Sequence, residues 1–255
     1  MQVAGASVVF STGGEPVHAL QNVDLDIFEG EFVSFIGPSG CGKTTLMRVI
    51  ADLERLTSGT VLVNGVSAGE ARQKGAYGYV FQAPALYPWR SVLKNVTLPL
   101  EIKGLGASER KDIAMRQLAN VGLSGFENKY PWQLSGGMQQ RVSIARALGF
   151  EPRILMMDEP FGALDEITRD RLNEQLLKLW FKERRTVIFV THSIPEAAFL
   201  SSKIVVMSAR PGRVVEVIES SLPPERTLDI RETPEFVDIA HHIRVALRHG
   251  DSYDD

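Results

Sequence analysis

The chain has 255 residues, of which 44% are hydrophobic, and a formal net charge of −3. This length allows a sizeable core, and the charge argues against a general polyanion binder, so no nucleic-acid partner is expected. A single cysteine, Cys41, excludes an intrachain disulfide and a metal site built from cysteines. Apolar runs are too short to cross a bilayer and the N-terminus lacks a signal-peptide pattern, which predicts a cytosolic protein.

The first third of the chain predicts a small antiparallel sheet. Ala6 to Phe10 is apolar, and hydrophobic and acidic residues alternate in NVDLDIF (22–28). A period of two is typical of a half-exposed antiparallel strand. Further on, TVLVNG (60–65) ends in a tight-turn pair, and YGYVFQ (77–82) predicts a buried strand.

A glycine-rich loop, GPSGCGKTT, lies between EFVSFI (31–36), which predicts a buried strand, and LMRVIADL (46–53), which predicts a helix. Glycines allow successive N–H groups to face one anion, and a side chain there would block its approach. Lys43 adds charge for the outer phosphates, and Thr44 offers a hydroxyl to Mg²⁺. A chance glycine-rich turn is the alternative, but eight positions and both flanks match. The loop comprises Gly37, Pro38, Ser39, Gly40, Cys41, Gly42, Lys43, Thr44 and Thr45.

Residues 83–150 show helical patterns interrupted by prolines and a glycine, at Pro84, Pro88, Pro99, Gly104 and Pro131. This texture predicts an inserted helical subdomain. Strand and helix patterns then alternate to the end of the chain, which indicates a parallel sheet. A last helix begins after Thr233, and its apolar face is expected to pack on the domain or on a partner. That face consists of Phe236, Ile239, Ala240, Ile243 and Leu247.

The segment ILMMDEP (154–160) predicts a buried strand that places Asp158 at its carboxyl end, where ligands of parallel sheets bind. Asp158 can hold Mg²⁺, in part through water. Glu159 can orient or deprotonate the water that attacks a γ-phosphate. In isolation, a solvated strand end or a helix N-cap would be the preferred interpretation of this pair.

A second candidate anion site is LSGGMQQR (134–141), in which Ser135, Gly136 and Gly137 precede a predicted helix. One nucleotide has only one terminal phosphate. Two phosphate-binding ends in one chain are therefore explained simply by two chains that face each other, each completing the site of the other.

These motifs, with Gln82, ALD (Ala163 to Asp165) and His192, resemble the ATP-binding subunit of an ATP-binding-cassette transporter over essentially the whole chain. The resemblance implies a single domain, 1–255, with an α/β fold: a RecA-like P-loop NTPase core with an antiparallel β-subdomain and an inserted helical subdomain. Residues 1–82 and 151–255 would form the core with its β-subdomain, and 83–150 the helical subdomain. The implied cofactors are ATP and Mg²⁺.

The resemblance also implies residue roles. It makes Glu159 the catalytic glutamate, His192 the switch histidine on the γ-phosphate, and Gln82 the glutamine that senses Mg²⁺ and the membrane partner. Ser135 to Gly137 and Asp165 would act across a dimer of two copies. The implied metal residues are Thr44, Gln82 and Asp158.

Three further positions need comment. Phe10 falls where the family has an aromatic residue stacked on adenine, although a core phenylalanine is an equal alternative. Met138 stands where the commonest signature has glutamine, and Asp52 replaces a usual glycine. As the one thiol, Cys41 is expected to react with a bulky maleimide, which would abolish ATP hydrolysis.

Three segments, 83–96, 159–172 and 206–214, are similar to import ATPases of the nitrate, sulfonate, taurine and pyrimidine-precursor group. Such subunits lie at the cytoplasmic face of the cell membrane and work with a separate permease and an external solute-binding protein. Ala83 to Trp89 is the predicted docking surface for that permease. Leu86 could instead pack within the helical subdomain.

Two other classes of protein share the phosphate loop. A soluble cassette ATPase acting on nucleic acid or the ribosome would be expected to carry a coiled-coil insertion or two cassettes, and neither is present. A P-loop kinase or GTPase has no use for LSGGMQQR or His192. The soluble cassette ATPase is the alternative that we keep.

Overall fold

The computed structural model describes residues 1–11, 13–162 and 164–250, without the side chain of residue 183. Its strands are β1 (Gln2–Phe10), β2 (Val17–Asp26), β3 (Phe32–Ile36), β4 (Ser58–Val63), β5 (Val66–Ser67), β6 (Tyr77–Val80), β7 (Ile154–Asp158), β8 (Thr186–Thr191), β9 (Lys203–Met207) and β10 (Val214–Glu219). Its α-helices are α1 (Lys43–Ile50), α2 (Ala68–Gln73), α3 (Val92–Ile102), α4 (Ala107–Asn120), α5 (Gly136–Gly149), α6 (Glu166–Glu183), α7 (Ile194–Leu200) and α8 (Pro234–Gly250).

The strands form two sheets, which confirms the predicted α/β class. One sheet has four strands in the order β2-β1-β4-β5, paired antiparallel. The other has six in the order β10-β9-β3-β8-β7-β6, parallel except for the edge strand β10. The predicted tight turn at Asn64 and Gly65 is confirmed, with positive φ angles at both residues, and it joins β4 to the short strand β5, which was not predicted.

The central strands are apolar because both faces of their sheet are covered. Every residue of β3, β7, β8 and β9 is buried. Along β3, Phe32 and Ile36 belong to one core cluster, whereas Val33 and Phe35 belong to the other. The parallel strands end at a common edge, and this edge carries the phosphate loop after β3, Asp158 at the end of β7 and His192 after β8.

Helices α3, α4 and α5 pack against one another within residues 83–150. The predicted break at Pro99 is wrong, because α3 continues to Ile102. Proline removes only its own N–H donor, and the carbonyl of Pro99 still accepts from the N–H of Lys103 at 3.1 Å. This proline therefore leaves the last turn of α3 intact.

The apolar face of α8 packs on its own domain. Phe236, Ile239 and Ile243 are buried, and Ala240 and Leu247 are half-buried against the same core cluster. This contact settles the choice that the sequence left open between the domain and a partner. None of the helices in the described part of the chain combines the length and hydropathy needed to cross a bilayer.

Candidate nucleotide-binding and hydrolysis site

The phosphate loop follows β3 and leads into α1, as predicted, although the helix begins at Lys43, inside the motif, and not at Leu46. The Lys43 side chain is buried, and its Nζ donates to the carbonyl oxygens of Gly37 (2.8 Å) and Pro38 (2.7 Å). The loop therefore folds around the ammonium group. Because those carbonyls are neutral acceptors, the charge of Lys43 stays available to an anion.

Glycine is required in this loop by packing as well as by the approach of an anion. A Cβ at Gly42, where φ is +99°, would lie 2.7 Å from the carbonyl oxygen of Ala19 in β2. A Cβ at Gly37 would lie 2.7 Å from the carbonyl oxygen of Met207 in β9. Contacts this short with backbone cannot be relieved by a side-chain movement, so β2 and β9 also fix the loop.

The turn between β9 and β10 supports the loop from one side, which the sequence did not predict. Gly212 packs directly on the carbonyl of Cys41, where any Cβ would overlap. The N–H of Gly212 donates to the carbonyl of Ala19 at 3.0 Å, and Arg210 Nη2 donates to the carbonyl of Gly40 at 3.3 Å. The segment 206–214, noted for its similarity to import ATPases, thus acts as a wall of the phosphate loop.

Thr44 and Asp158 form a pair of oxygen atoms suited to a hard cation. Thr44 Oγ1 donates to Asp158 Oδ1 at 2.8 Å. Burial raises the pKa of Asp158, and the Thr44 hydroxyl works against this by stabilising the carboxylate. Because this pKa is raised by folding, the contribution of Asp158 to stability is fully present below the pKa of an unfolded aspartate and is lost as the pH rises through the raised value. A cation bound at Asp158 would offset that loss.

Three of the predicted residues meet at one carboxylate. Gln82 Nε2 donates to Glu159 Oε2 at 3.1 Å, and His192 Nδ1 lies 3.6 Å from the same oxygen. Glu159 has a φ of +44°, and its N–H donates to the carbonyl of Val190 at 3.0 Å. The residues come from the ends of β6, β7 and β8, so the sheet edge brings together what the sequence separates.

The remaining two predicted motifs, LSGGMQQR and ALD, lie at the starts of helices. Ser135 caps α5, with its Oγ accepting from the N–H of Met138 at 3.3 Å. Asp165 caps α6, and its pKa is lowered chiefly by the hydrogen bond from the N–H of Thr168. Ser135, Gly136 and Asp165 are exposed. Residue 163 of the predicted ALD motif lies outside the described residues.

Phe10 is half-buried at the end of β1 and packs against the core cluster between the two sheets. Phe10 therefore contributes to core packing, and its contact with adenine stays a prediction. Met138 is half-buried against the other cluster. Asp52 occupies the left-handed conformation, with φ +56°, that favours glycine after a helix, and its carboxylate accepts from Arg72 Nε at 2.9 Å.

The structure disfavours the reaction of Cys41 with a maleimide in the folded chain, and the effect of that reaction on ATP hydrolysis stays a prediction. The residue is 1% exposed, and Lys43 Nζ lies 3.6 Å from its Sγ. Burial also raises the pKa of the thiol, which lowers the fraction of reactive thiolate at neutral pH. The sequence placed Cys41 in the loop but could not show that the folded loop buries its side chain.

Buried or half-buried polar side chains of α3 and α5 hold the loop that begins at Gln82, and sequence reasoning missed them. Gln140 Nε2 donates to the carbonyl of Phe81 at 3.1 Å, and Arg146 donates to those of Pro84 and Ala85 at 3.0 and 2.7 Å. Asn95 accepts from the N–H of Tyr87 and donates to three carbonyls. Polar residues on the buried face of an apolar helix pattern were the available signal.

The same loop exposes an aromatic pair. Tyr87 is 41% exposed and Trp89 is 71% exposed, and their rings contact each other with centroids 5.3 Å apart. Leu86 is half-buried and packs against the core, in agreement with the alternative prediction that this residue packs within the helical subdomain. The segment is not helical, in agreement with its prolines.

A family model described as ABC transporter matches residues 20–162, which is more than half of the chain. The chain belongs to the ABC transporter family. An uncharacterized ABC transporter ATP-binding protein of Methanocaldococcus jannaschii is 52% identical over 230 residues, covering 89% of this chain and 85% of that protein. A taurine import ATP-binding protein of Rhizobium johnstonii is 44% identical over 254 residues, covering 97% and 96%.

A solved structure agrees with this assignment. The dimeric post-hydrolysis state of an ATP-binding cassette bound to ADP and Pi superposes with a TM-score of 0.79 at 37% identity, covering 86% of this chain and 97% of that one. This member of the ABC family is accordingly an ATP-binding ATPase with the predicted RecA-like P-loop fold.

Proposed function

We propose that this ABC ATPase powers the import of a small solute through a separate integral-membrane permease. The solute would belong to the nitrate, sulfonate, taurine or pyrimidine-like group, and an external solute-binding protein would deliver it to the permease. One observation weighs most: the hydrogen bond from Gln82 to Glu159 lies at the start of a loop that exposes Tyr87 and Trp89. The taurine import relative, similar over nearly the whole chain, supports the solute class.

In this proposal the phosphate loop holds the ATP phosphates with its N–H groups and Lys43. Thr44 and Asp158, with Gln82, would hold Mg²⁺, which supplies positive charge to the phosphate oxygens. Their adjacent oxygens, 2.8 Å apart, fit a small cation that retains much of its water shell. Phe10, half-exposed at the end of β1, would offer its ring to adenine.

Hydrolysis would depend on the cluster around Glu159. Its carboxylate orients the attacking water and accepts a proton from it, while Gln82 and His192 fix the position of that carboxylate and contact the γ-phosphate region. In phosphoryl transfer the protein contributes mainly positioning and charge stabilisation. Two side chains that approach one carboxylate oxygen, at 3.1 and 3.6 Å, are suited to that task.

We also propose that two copies of the chain close around ATP. Ser39, Gly40 and His192 are exposed, so a single chain leaves its site open on one side. Ser135 to Gly137 and Asp165 of a second copy would cover it. The solved cassette bound to ADP and Pi is described as dimeric, which supports this arrangement.

Ala83 to Trp89 would form the docking surface for the permease at the cytoplasmic face of the membrane. Arg146 and Gln140 attach this loop to α5, the helix that Ser135 caps. Movement of α5 on closure of the two copies would therefore move the docking surface. In this scheme residues 83–150 form the helical subdomain, and residues 1–82 and 151–255 form the core with its β-subdomain.

The experiment that tests this function uses the permease encoded beside this chain, carrying an affinity tag. Both proteins are expressed together, membranes are solubilised, and the tagged permease is recovered. We expect this chain to be recovered with it and to hydrolyse ATP. Recovery with ribosomes or nucleic acid instead, and none with the permease, would favour the soluble cassette ATPase.

A further inference from the structure

A buried carboxylate organises the loop that contains His192. Glu196, in the first turn of α7, is 6% exposed, and its Oε2 accepts from Thr191 Oγ1 at 2.5 Å. Thr191 Oγ1 in turn accepts from the N–H of Ser193 at 3.0 Å. Both neighbours of His192 in the chain are therefore bound, directly or through Thr191, to Glu196.

The second oxygen of the same carboxylate faces a different loop. Arg169 Nε lies 3.6 Å from Glu196 Oε1, and Arg169 Nη2 donates to the carbonyl of Leu164 at 2.8 Å. Leu164 is buried and precedes Asp165, the cap of α6. The guanidinium of Arg169 thus contacts the backbone of the Asp165 loop on one side and the carboxylate of Glu196 on the other.

We propose that Arg169 and Glu196 form a positioning bridge, which sets the Asp165 loop against the His192 loop and so aligns His192 for hydrolysis. The inference rests on the proposed function, in which Asp165 meets the second copy and His192 contacts the γ-phosphate. A displacement of the Asp165 loop on closure of the two copies would be transmitted to His192 through this bridge. Neither Arg169 nor Glu196 touches the reacting atoms.

Two observations argue for a positioning role over general stabilisation. Burial raises the pKa of Glu196, so keeping a charge there is costly, and a buried ion pair is weak evidence for stability. The bridge also connects two loops of the site. The neighbouring ion pair on α6, between Asp170 and Arg231 at 2.8 Å, instead connects α6 to residues 228–232, away from those loops. Displacement of a reacting group by about 1 Å can lower a rate on the order of 100-fold.

The test compares Glu196→Gln and Arg169→Lys with the unchanged protein in steady-state ATP hydrolysis. Glutamine keeps the shape and an acceptor for Thr191 but loses the charge that faces Arg169. We expect each variant to lower kcat by about 10-fold or more, with KM for ATP within about twofold, because the phosphate loop is untouched. The double variant should be no slower than the slower single one, since both remove the same bridge.

Asp170→Asn is the matched control, because it breaks an ion pair one residue along the same helix. Its kcat should be unchanged, while its thermal midpoint should fall about as far as that of Glu196→Gln. The proposal is overturned if Glu196→Gln and Arg169→Lys hydrolyse ATP normally, if their effects multiply in the double variant, or if Asp170→Asn loses as much kcat. Glu159→Gln is measured alongside: if it retains turnover, the assignment of the site is wrong, and not the bridge alone.

Discussion

Glu159 has a backbone conformation that side-chain-bearing residues seldom adopt. Its φ of +44° costs about 1–2 kcal/mol relative to ordinary backbone. The chain turns sharply there, directly after β7, and the turn directs the carboxylate toward Gln82 and His192. Strain at a single residue of the sheet edge is typical of a functional position.

Glu159→Gln should therefore bind ATP with near-normal affinity and lose turnover by about 10²- to 10⁴-fold, because the amide cannot accept the proton of the attacking water. Lys43→Ala is the contrasting variant and should weaken ATP binding itself, since a charge-assisted phosphate contact is lost. Equilibrium binding and steady-state hydrolysis separate the two effects. Near-normal hydrolysis by Glu159→Gln would remove the residue from this role.

At Cys41 the expected chemistry follows from the burial of its side chain within the phosphate loop. The folded protein at pH 7 should react with a maleimide at least about 10-fold more slowly than the same protein in denaturant, because the thiol is covered and its pKa is raised. The labelling rate, followed by mass spectrometry, measures this difference. Equal rates in the two conditions would show that the phosphate loop is open at this point. Cys41→Ser should remain active.

At the scale of a helix, α6 contains a buried polar side chain, Asn173, whose hydrogen-bonding groups are unpaired in the described part of the chain. Asn173 is fully buried, and neither its Oδ1 nor its Nδ2 has a hydrogen-bond partner in the described part of the chain. An unpaired buried polar group costs about 1–3 kcal/mol. We expect Asn173→Leu to raise the free energy of unfolding by about 1 kcal/mol, measured in urea.

Asn95 on α3 is the matched control, since it is equally buried but fully hydrogen-bonded to the loop after Gln82. Asn95→Leu should lower the free energy of unfolding by more than about 2 kcal/mol, because several loop groups lose their partner. A loss of similar size in Asn173→Leu would show that Asn173 has a partner in solution.

Sequence pattern predicted the elements better than the contacts between them. The apolar runs that became β3, β7 and β8 were evident because both faces of a parallel sheet are covered. The support of the phosphate loop by Gly212 was not evident, since it depends on two segments far apart in the chain. The same holds for Glu196, whose partners Thr191 and Arg169 lie on different elements.

For the whole assembly, the decisive surface is the aromatic pair on the loop after Gln82. Tyr87→Ala combined with Trp89→Ala should leave the isolated subunit folded and able to bind ATP, because both rings are exposed. Recovery with the tagged permease should fall about 10-fold or more, as is typical of aromatic interface anchors. ATP hydrolysis should no longer be coupled to transport.

Phe28→Ala is the matched control for this double variant. Phe28 is 65% exposed but precedes β3, so it lies at the sheet edge opposite to the phosphate loop. Its loss should leave recovery with the permease unchanged. If the double variant assembles and transports normally, or if it unfolds, the aromatic pair belongs to the core and the docking surface lies elsewhere.

The position of β3 also bears on how the protein is made. Phe32 pairs with Val187, and Val33 pairs with Lys203, so both neighbours of β3 come from the last third of the chain. During synthesis the phosphate loop leaves the ribosome long before the strands that flank its own strand. Pairings so distant in sequence form late in folding. A nascent chain therefore contains the whole phosphate loop well before it can hold ATP, and the nucleotide stabilises only a nearly finished protein.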